Sequence, residues 1–280
     1  MILRRTLLGL ALGLTAFLTL ACDRRSPDSL PPQPAAPTPV PAPAPKTELM
    51  VFAASSLKQA FEAAGASFEA AHPAVDIVFN FAGTQEIRRQ LEFGARADVF
   101  ASADEKHMQA LVEKKLVHTP QVFAENEPVL AVFEGSTTPI VQFSELPKVA
   151  RLVVGAPDVP IGRYTTEILD RAEQKYGPGF VARVESKIAS RELNVRQVLA
   201  KVTLGEADAA IVYRSDVTPP RSKVRAVDIP NDVNVVARYP IAVVQQTSHE
   251  DLARAWLELL GSPIGQGALR DAGFRPIDGS

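Results

Sequence analysis

The chain has a single cysteine, Cys22, among 280 residues. No intrachain disulfide is possible, so the fold rests on a packed core rather than on cross-links. Histidine is also scarce: His72, His107, His118 and His249 are all there are. No H-E-x-x-H or G-x-S-x-G string occurs, which removes the common zinc-hydrolase and serine-hydrolase signatures. The 30 basic residues nearly balance the 32 acidic ones, and they form no basic block. A nucleic-acid partner is therefore not expected. The four tyrosines, Tyr164, Tyr176, Tyr213 and Tyr239, are all separated in sequence. A ferric site would favour adjacent tyrosines and carboxylates as hard ligands. After residue 21 no apolar run approaches the roughly 20 residues that a membrane span needs. No internal repeat is visible.

What is present begins with a three-part leader. Arg4 and Arg5 form a short basic region, and the run from Leu7 to Ala21 is apolar and uncharged. It is short for a membrane span and ends on a small residue, so residues 1–21 read as a signal peptide. The string Leu18-Thr19-Leu20-Ala21-Cys22 resembles a bacterial lipobox, which implies that Cys22 becomes a lipidated first residue. An ordinary secretory signal with an incidental cysteine is the alternative. The position of the sole cysteine, directly after the apolar run, favours the lipid. Residues 22–47 are then a lipidated cysteine plus a Pro/Ala-rich tether, extended at about 3.1 Å per residue. The expected location is periplasmic or cell-surface, attached to the membrane only through lipid at Cys22.

From residue 48 onward the composition is that of a globular protein, long enough for two lobes of about 100 residues. Strand-like and helix-like segments alternate, which predicts an α/β fold with mostly parallel sheets flanked by helices. Strands are expected at Leu49–Ala54, Asp76–Phe81, Asp98–Ser102, Pro128–Phe133, Leu152–Gly155, Ala209–Tyr213, Val224–Asp228 and Ile241–Gln245. Helices are expected to start near Ser56, Thr84, Ala103, Pro160, Asn194 and His249. Glu127–Phe133 and Tyr239–Gln245 read as crossings between lobes. Lobe 1 is then discontinuous, residues 48–131 and 242–280, and lobe 2 spans 132–241. Two consecutive domains with one linker are the alternative.

Four strand-to-helix joints stand out. In Ala54-Ser55-Ser56-Leu57-Lys58-Gln59, Ser56 and Gln59 have capping-box spacing. In Phe81-Ala82-Gly83-Thr84, the glycine permits a close turn and Thr84 suits a helix start. In Val159-Pro160-Ile161-Gly162, proline suits the first helical position, and Ile161 offers only its backbone. Asn194-Val195-Arg196-Gln197 has another cap pattern, and Tyr213 ends a buried strand with a phenolic donor. Each joint taken alone reads more simply as a helix cap or as packing. A helix N-terminus is also an anion site, because its first N–H groups lack partners and carry the positive end of the macrodipole. Four such ends, three of them offering hydroxyls or bare backbone, point to a receptor for a small oxyanion.

The order and spacing of these joints are more specific than any one of them. Together with Arg89-Gln90-Leu91-Glu92-Phe93-Gly94-Ala95, Ala97-Asp98-Val99-Phe100-Ala101-Ser102-Ala103-Asp104, Ile211-Val212-Tyr213-Arg214-Ser215-Asp216 and Tyr239-Pro240-Ile241-Ala242-Val243-Val244, the chain resembles the molybdate-binding receptors of ABC importers. These are periplasmic binding proteins, and the resemblance covers essentially everything after the tether. It implies a two-lobed fold with two hinge crossings and no catalysis. It implies no cofactor, only a molybdate or tungstate ligand, and as partners a membrane permease with its ATPase. The implied ligand set is the hydroxyls of Ser56, Thr84 and Tyr213 and the backbone N–H groups of Ile161 and Val195. They meet the oxygens of the ion and never the metal atom itself. Ile161 is bulkier than the alanine expected there, Gln85 stands where a small residue is common, and Arg163 is unusual.

A ring of fixed neutral donors reads size. Sulfate would leave donors out of reach, each unmade bond costing about 1–3 kcal/mol. Molybdate and tungstate are nearly equal in size and pass the same test. On physics alone another tetrahedral oxyanion, sulfate or phosphate, stays open. From a different class, an extracytoplasmic hydrolase lacks any supporting motif. A monomer is expected.

Overall fold

The computed structural model describes residues 45–218, 223–275 and 277. The signal segment, Cys22 and the tether up to residue 44 lie outside the described residues. In chain order the elements are β1 (Thr47–Ala54), a 3-10 turn (Ser55–Leu57), α1 (Lys58–Ala71), β2 (Val75–Ala82), α2 (Thr84–Glu92), β3 (Val99–Ala101), α3 (Glu105–Glu113), β4 (Gln121–Asn126) and β5 (Pro128–Phe133). A second 3-10 segment (Phe143–Lys148) leads to β6 (Leu152–Gly155), α4 (Pro160–Tyr176), α5 (Phe180–Glu185), β7 (Ile188–Glu192), α6 (Val195–Thr203), β8 (Ala209–Tyr213) and α7 (Arg214–Val217). The chain closes with β9 (Val224–Asp228), β10 (Ala237–Val243), α8 (Glu250–Gly261) and α9 (Pro263–Asp271).

Ten strands form two sheets with the same plan, β2-β1-β3-β10-β4 and β7-β6-β8-β5-β9. In the first, β1 pairs parallel with β2 and β3, and β10 is antiparallel to β3 and β4. In the second, β6 pairs parallel with β7 and β8, and β5 is antiparallel to β8 and β9. Each sheet thus has four strands in one direction and one reversed. The reversed strands, β10 and β5, are those that arrive from the other lobe. The fold is α/β and two-lobed, as expected.

The central strands are apolar because helices cover both faces. Leu49, Val51, Phe52, Ala53 and Ala54 of β1 are all buried. Helix α1 lays Ala60, Phe61, Ala64 and Phe68 against the core at helical spacing. Trp256 of α8 meets Phe61 and Phe68 edge-on, at 5.4 and 5.6 Å between ring centroids. Helix α8 therefore packs back on the first lobe.

The crossings fall slightly earlier than the sequence boundaries. A division at 131/132 cuts through β5, which is bonded whole into the second sheet, and one at 241/242 cuts through β10, which lies whole in the first. The chain passes between sheets at Glu127 and again within 229–236. Strands β4 and β7 and helices α5, α7 and α9 are additional to the sequence expectation.

Candidate functional site

Ser56, Thr84, Ile161, Val195 and Tyr213 line one cavity between the two sheets. Even counted with its open mouth it holds about 210 Å³ of space between atoms. Pockets for drug-sized molecules run to about 300–1,000 Å³, so this one suits a compact ion. No charged side chain lines it.

Four helix starts converge on it. The chain leaves β1 through the Ser55–Leu57 turn into α1, and leaves β2 through Gly83 into α2. Val159 precedes α4, with Pro160 in its first turn, and Asn194 precedes α6. Ile161 and Val195 lie in first turns, where no residue four back accepts from their N–H groups. Both residues are buried. Both line the cavity.

The hydroxyls are not the simple caps that the spacing suggests. Neither the 3-10 turn nor α1 has a side-chain cap. Ser56 Oγ instead lies 3.0 Å from the Tyr239 hydroxyl. The extra 3-10 turn displaces Ser56 from the capping position. Gly83, not Thr84, precedes α2, and Thr84 Oγ1 accepts from the Ala103 N–H at 3.2 Å. Its own hydrogen remains available. Asn194 is a true cap: its side chain accepts from the Gln197 N–H at 3.0 Å.

Tyr213 is the most exacting member. It is 1 % exposed, and its hydroxyl has no hydrogen-bond partner among the described residues. Its ring stands edge-on to Tyr164 at 6.4 Å and to Tyr239 at 5.8 Å. Burial, followed by the neighbouring Tyr239, raises its pKa well above the ordinary tyrosine value. The phenol is therefore a neutral donor at any ordinary pH. A buried polar group left unpaired is costly, which makes this hydroxyl a candidate ligand donor.

Polar contacts bind the two lobes around the cavity. Gln85 Nε2 donates to the Leu193 carbonyl at 2.6 Å, and Arg196 Nε donates to the Ser55 carbonyl at 2.7 Å. Arg89 pairs with Asp158 at 2.7 Å. Arg163 reaches Asp104, whose side chain is fully buried, at 3.0 Å and rests over the Tyr164 ring at 5.0 Å. Arg163 is thus already paired and is not among the cavity's lining residues. Gly83 allows the close approach: a Cβ there would stand 2.5 Å from the Leu193 carbonyl oxygen. Among the described residues no group of three His, Cys, Asp or Glu side chains is placed to hold a metal ion.

A model of the bacterial extracellular solute-binding protein family matches residues 49–275. The molybdate-binding protein ModA of Mycobacterium tuberculosis H37Rv is 36% identical over 273 residues, covering 95% of this chain and 98% of that protein. The chain belongs to the ModA family of bacterial extracellular solute-binding proteins. Among solved structures, the periplasmic molybdate-binding protein of Azotobacter vinelandii superposes with a TM-score of 0.72 at 18% identity, over 81% of this chain and 98% of that one. The sulfate-binding protein SubI of M. tuberculosis H37Rv gives 0.74 at 18%, over 83% and 88%. At that identity the two structures establish the shared fold and do not separate one anion from another.

Two features of the site are not legible from local sequence. Tyr239 enters through Ser56, 183 positions away. Asp104, which reads as a helix start, is also the partner of Arg163 in the opposite lobe.

Proposed function

We propose that the protein is an extracytoplasmic solute-binding protein that captures molybdate, and tungstate by the same size rule, and delivers it to an ABC importer. The ion is held by the hydroxyls of Ser56, Thr84 and Tyr213 and by the N–H groups of Ile161 and Val195. It is bound without catalysis and released to a membrane permease driven by its ATPase. The observation that carries this reading is the Tyr213 hydroxyl, buried and unpartnered in a small cavity lined by no charged side chain. Such a cavity suits a fully desolvated dianion, because helix N-termini and neutral donors compensate its charge without a counterion. The ModA relative, similar over nearly the whole chain, supports molybdate as that dianion.

Thermal melts test the reading. A ligand that binds only the folded state stabilises it by about 2.7 kcal/mol at 100 times its Kd. Molybdate and tungstate are expected to raise the melting temperature, with sulfate and phosphate at equal concentration well behind. No shift with any of the four anions contradicts the proposal.

The protein works as a monomer tethered outside the cytoplasm by lipid on Cys22. Mass spectrometry of membrane-extracted protein is expected to find an acylated Cys22 as its first residue. A soluble product cleaved elsewhere excludes the anchor.

A further inference from the structure

Tyr239 does not line the cavity, yet its hydroxyl is the partner of a cavity hydroxyl. Its side chain is fully enclosed, held edge-on between Tyr213 at 5.8 Å and Phe274 at 5.3 Å. It stands on β10 where the register with β4 slips between Tyr239 and Pro240. Such an irregularity re-aims side chains locally. The Tyr239 hydroxyl pairs with Ser56 Oγ at 3.0 Å, and the Asn126 side chain is near enough to act on its pKa.

Burial bears on the direction of this bond, because the enclosed Tyr239 hydrogen needs an acceptor. Asn126 is itself fully buried. Its Oδ1 accepts from the Glu127 N–H at 2.9 Å, which orients the amide. The Nδ2 therefore carries both hydrogens. One goes to Ser215 Oγ at 2.8 Å. A phenol has one hydrogen and accepts through its oxygen. Tyr239 is enclosed and Ser56 Oγ is its hydrogen-bond partner among the described residues, so the Tyr239 hydrogen goes to Ser56 Oγ. Ser56 then accepts from behind, and its own hydrogen is left for the cavity that it lines.

We propose that Tyr239 is a positioning residue for anion recognition, holding the Ser56 hydroxyl as a donor toward the cavity. The inference rests on the function proposed above, since a donor so aimed suits an acceptor-only ligand. Asn126 extends the device. It adjoins Glu127, where the chain crosses from the first sheet to the second, and it grips Ser215 on α7 of the second lobe. The orientation of Ser56 is thereby tied to the packing of the two lobes at that crossing. An acceptor-only dianion oxygen meets a hydroxyl already turned to donate.

A double-mutant cycle tests this, with calorimetric titration of molybdate into the full-length protein as the readout. Tyr239→Phe keeps the ring packing and removes the hydroxyl. It is expected to weaken binding about 5- to 30-fold, part of the roughly 10- to 150-fold that losing a whole bond to a charged ligand costs, because Ser56 stays but is no longer oriented. Ser56→Ala is expected to weaken binding as well. In the Ser56→Ala background, Tyr239→Phe should cost nothing further, because its effect passes through Ser56. Asn126→Ala provides a second route should Tyr239→Phe fold poorly. It frees the Tyr239 hydrogen from its fixed direction, and its smaller loss should also vanish in the Ser56→Ala background. Full additivity of the losses overturns the positioning role, as does wild-type affinity in Tyr239→Phe. If the wild type itself binds no molybdate, sulfate or phosphate, the cavity reading falls and this role falls with it. If the wild type binds and only the coupling is missing, the positioning role alone is lost.

Discussion

Arg163, in the first turn of α4, reaches across the cleft to the fully buried carboxylate of Asp104 at 3.0 Å. Burial works against the Arg163 charge, but Asp104 outweighs it and the pKa of the guanidinium is raised. The arginine that stands out as unusual in the sequence is a clasp between lobes. Removing one member of a buried pair is costly, about 3–5 kcal/mol when both partners are buried, and less here because Arg163 is 36 % exposed.

Arg163→Gln is therefore expected to lower molybdate affinity about 10-fold or more, because closing the lobes then buries Asp104 unpaired. Adding Asp104→Asn should restore much of it. A double variant as weak as Arg163→Gln alone would show that Arg163 serves the anion directly.

Gly83→Ala probes the approach of the lobes. Gly83 has φ −63°, which alanine adopts without strain. Its Cβ would nevertheless meet the Leu193 carbonyl oxygen of the opposite lobe at 2.5 Å. We expect near wild-type ligand-free stability with affinity reduced at least about tenfold, since overpacking costs about 1–3 kcal/mol. Unchanged affinity in the titration would mean that this contact does not limit closure.

Tyr213→Phe removes the unpartnered donor and leaves the ring against Tyr164 and Tyr239. A hydrogen bond to a charged group is worth roughly 1.5–3 kcal/mol, so affinity should fall about 10- to 150-fold. Ligand-free stability should hold or rise, because a buried polar group without a partner is gone. A melt without ligand separates the two effects. Unchanged affinity would remove Tyr213 from the site.

Burial raises the pKa of both Tyr213 and Tyr239 well above the ordinary tyrosine value near 10. Their hydroxyls stay protonated where an unfolded tyrosine ionises. Below pH 10 this leaves stability unaffected. Above it the unfolded chain releases protons that the folded one retains, so stability falls as pH rises. Molybdate affinity is expected to vary by no more than about twofold from pH 7 to 9 through these groups. Titrations across that range check it, and a steep loss near pH 8 would point to a different titrating donor.

Much of this was readable where local chemistry decides. Pro128–Phe133, Leu152–Gly155, Ala209–Tyr213 and Val224–Asp228 form strands with the expected limits, because each is a short run rich in apolar β-formers. The strand Ile188–Glu192 escapes such a reading: it is an edge strand with no fully buried residue, and it is largely polar. Gln121–Asn126 is likewise an edge strand with polar ends. The five cavity residues were named through the family resemblance, since each joint alone reads as a cap or as packing; that such joints gather at one end of an α/β sheet fits their meeting at one cavity. Tyr239 and the Asp104–Arg163 clasp were not, since they depend on long-range packing that no local pattern encodes. Ser56 shows the limit most clearly. Its spacing to Gln59 fits a capping box, while its hydroxyl is bonded to Tyr239.

The central claim is that a neutral cavity selects a large tetrahedral dianion by its size. Calorimetric titration of the wild-type protein with molybdate, in the presence and absence of excess sulfate, tests it most directly. We expect one molybdate per protein and an affinity that sulfate barely changes. Displacement of molybdate by equimolar sulfate, or no binding of molybdate at all, would contradict it.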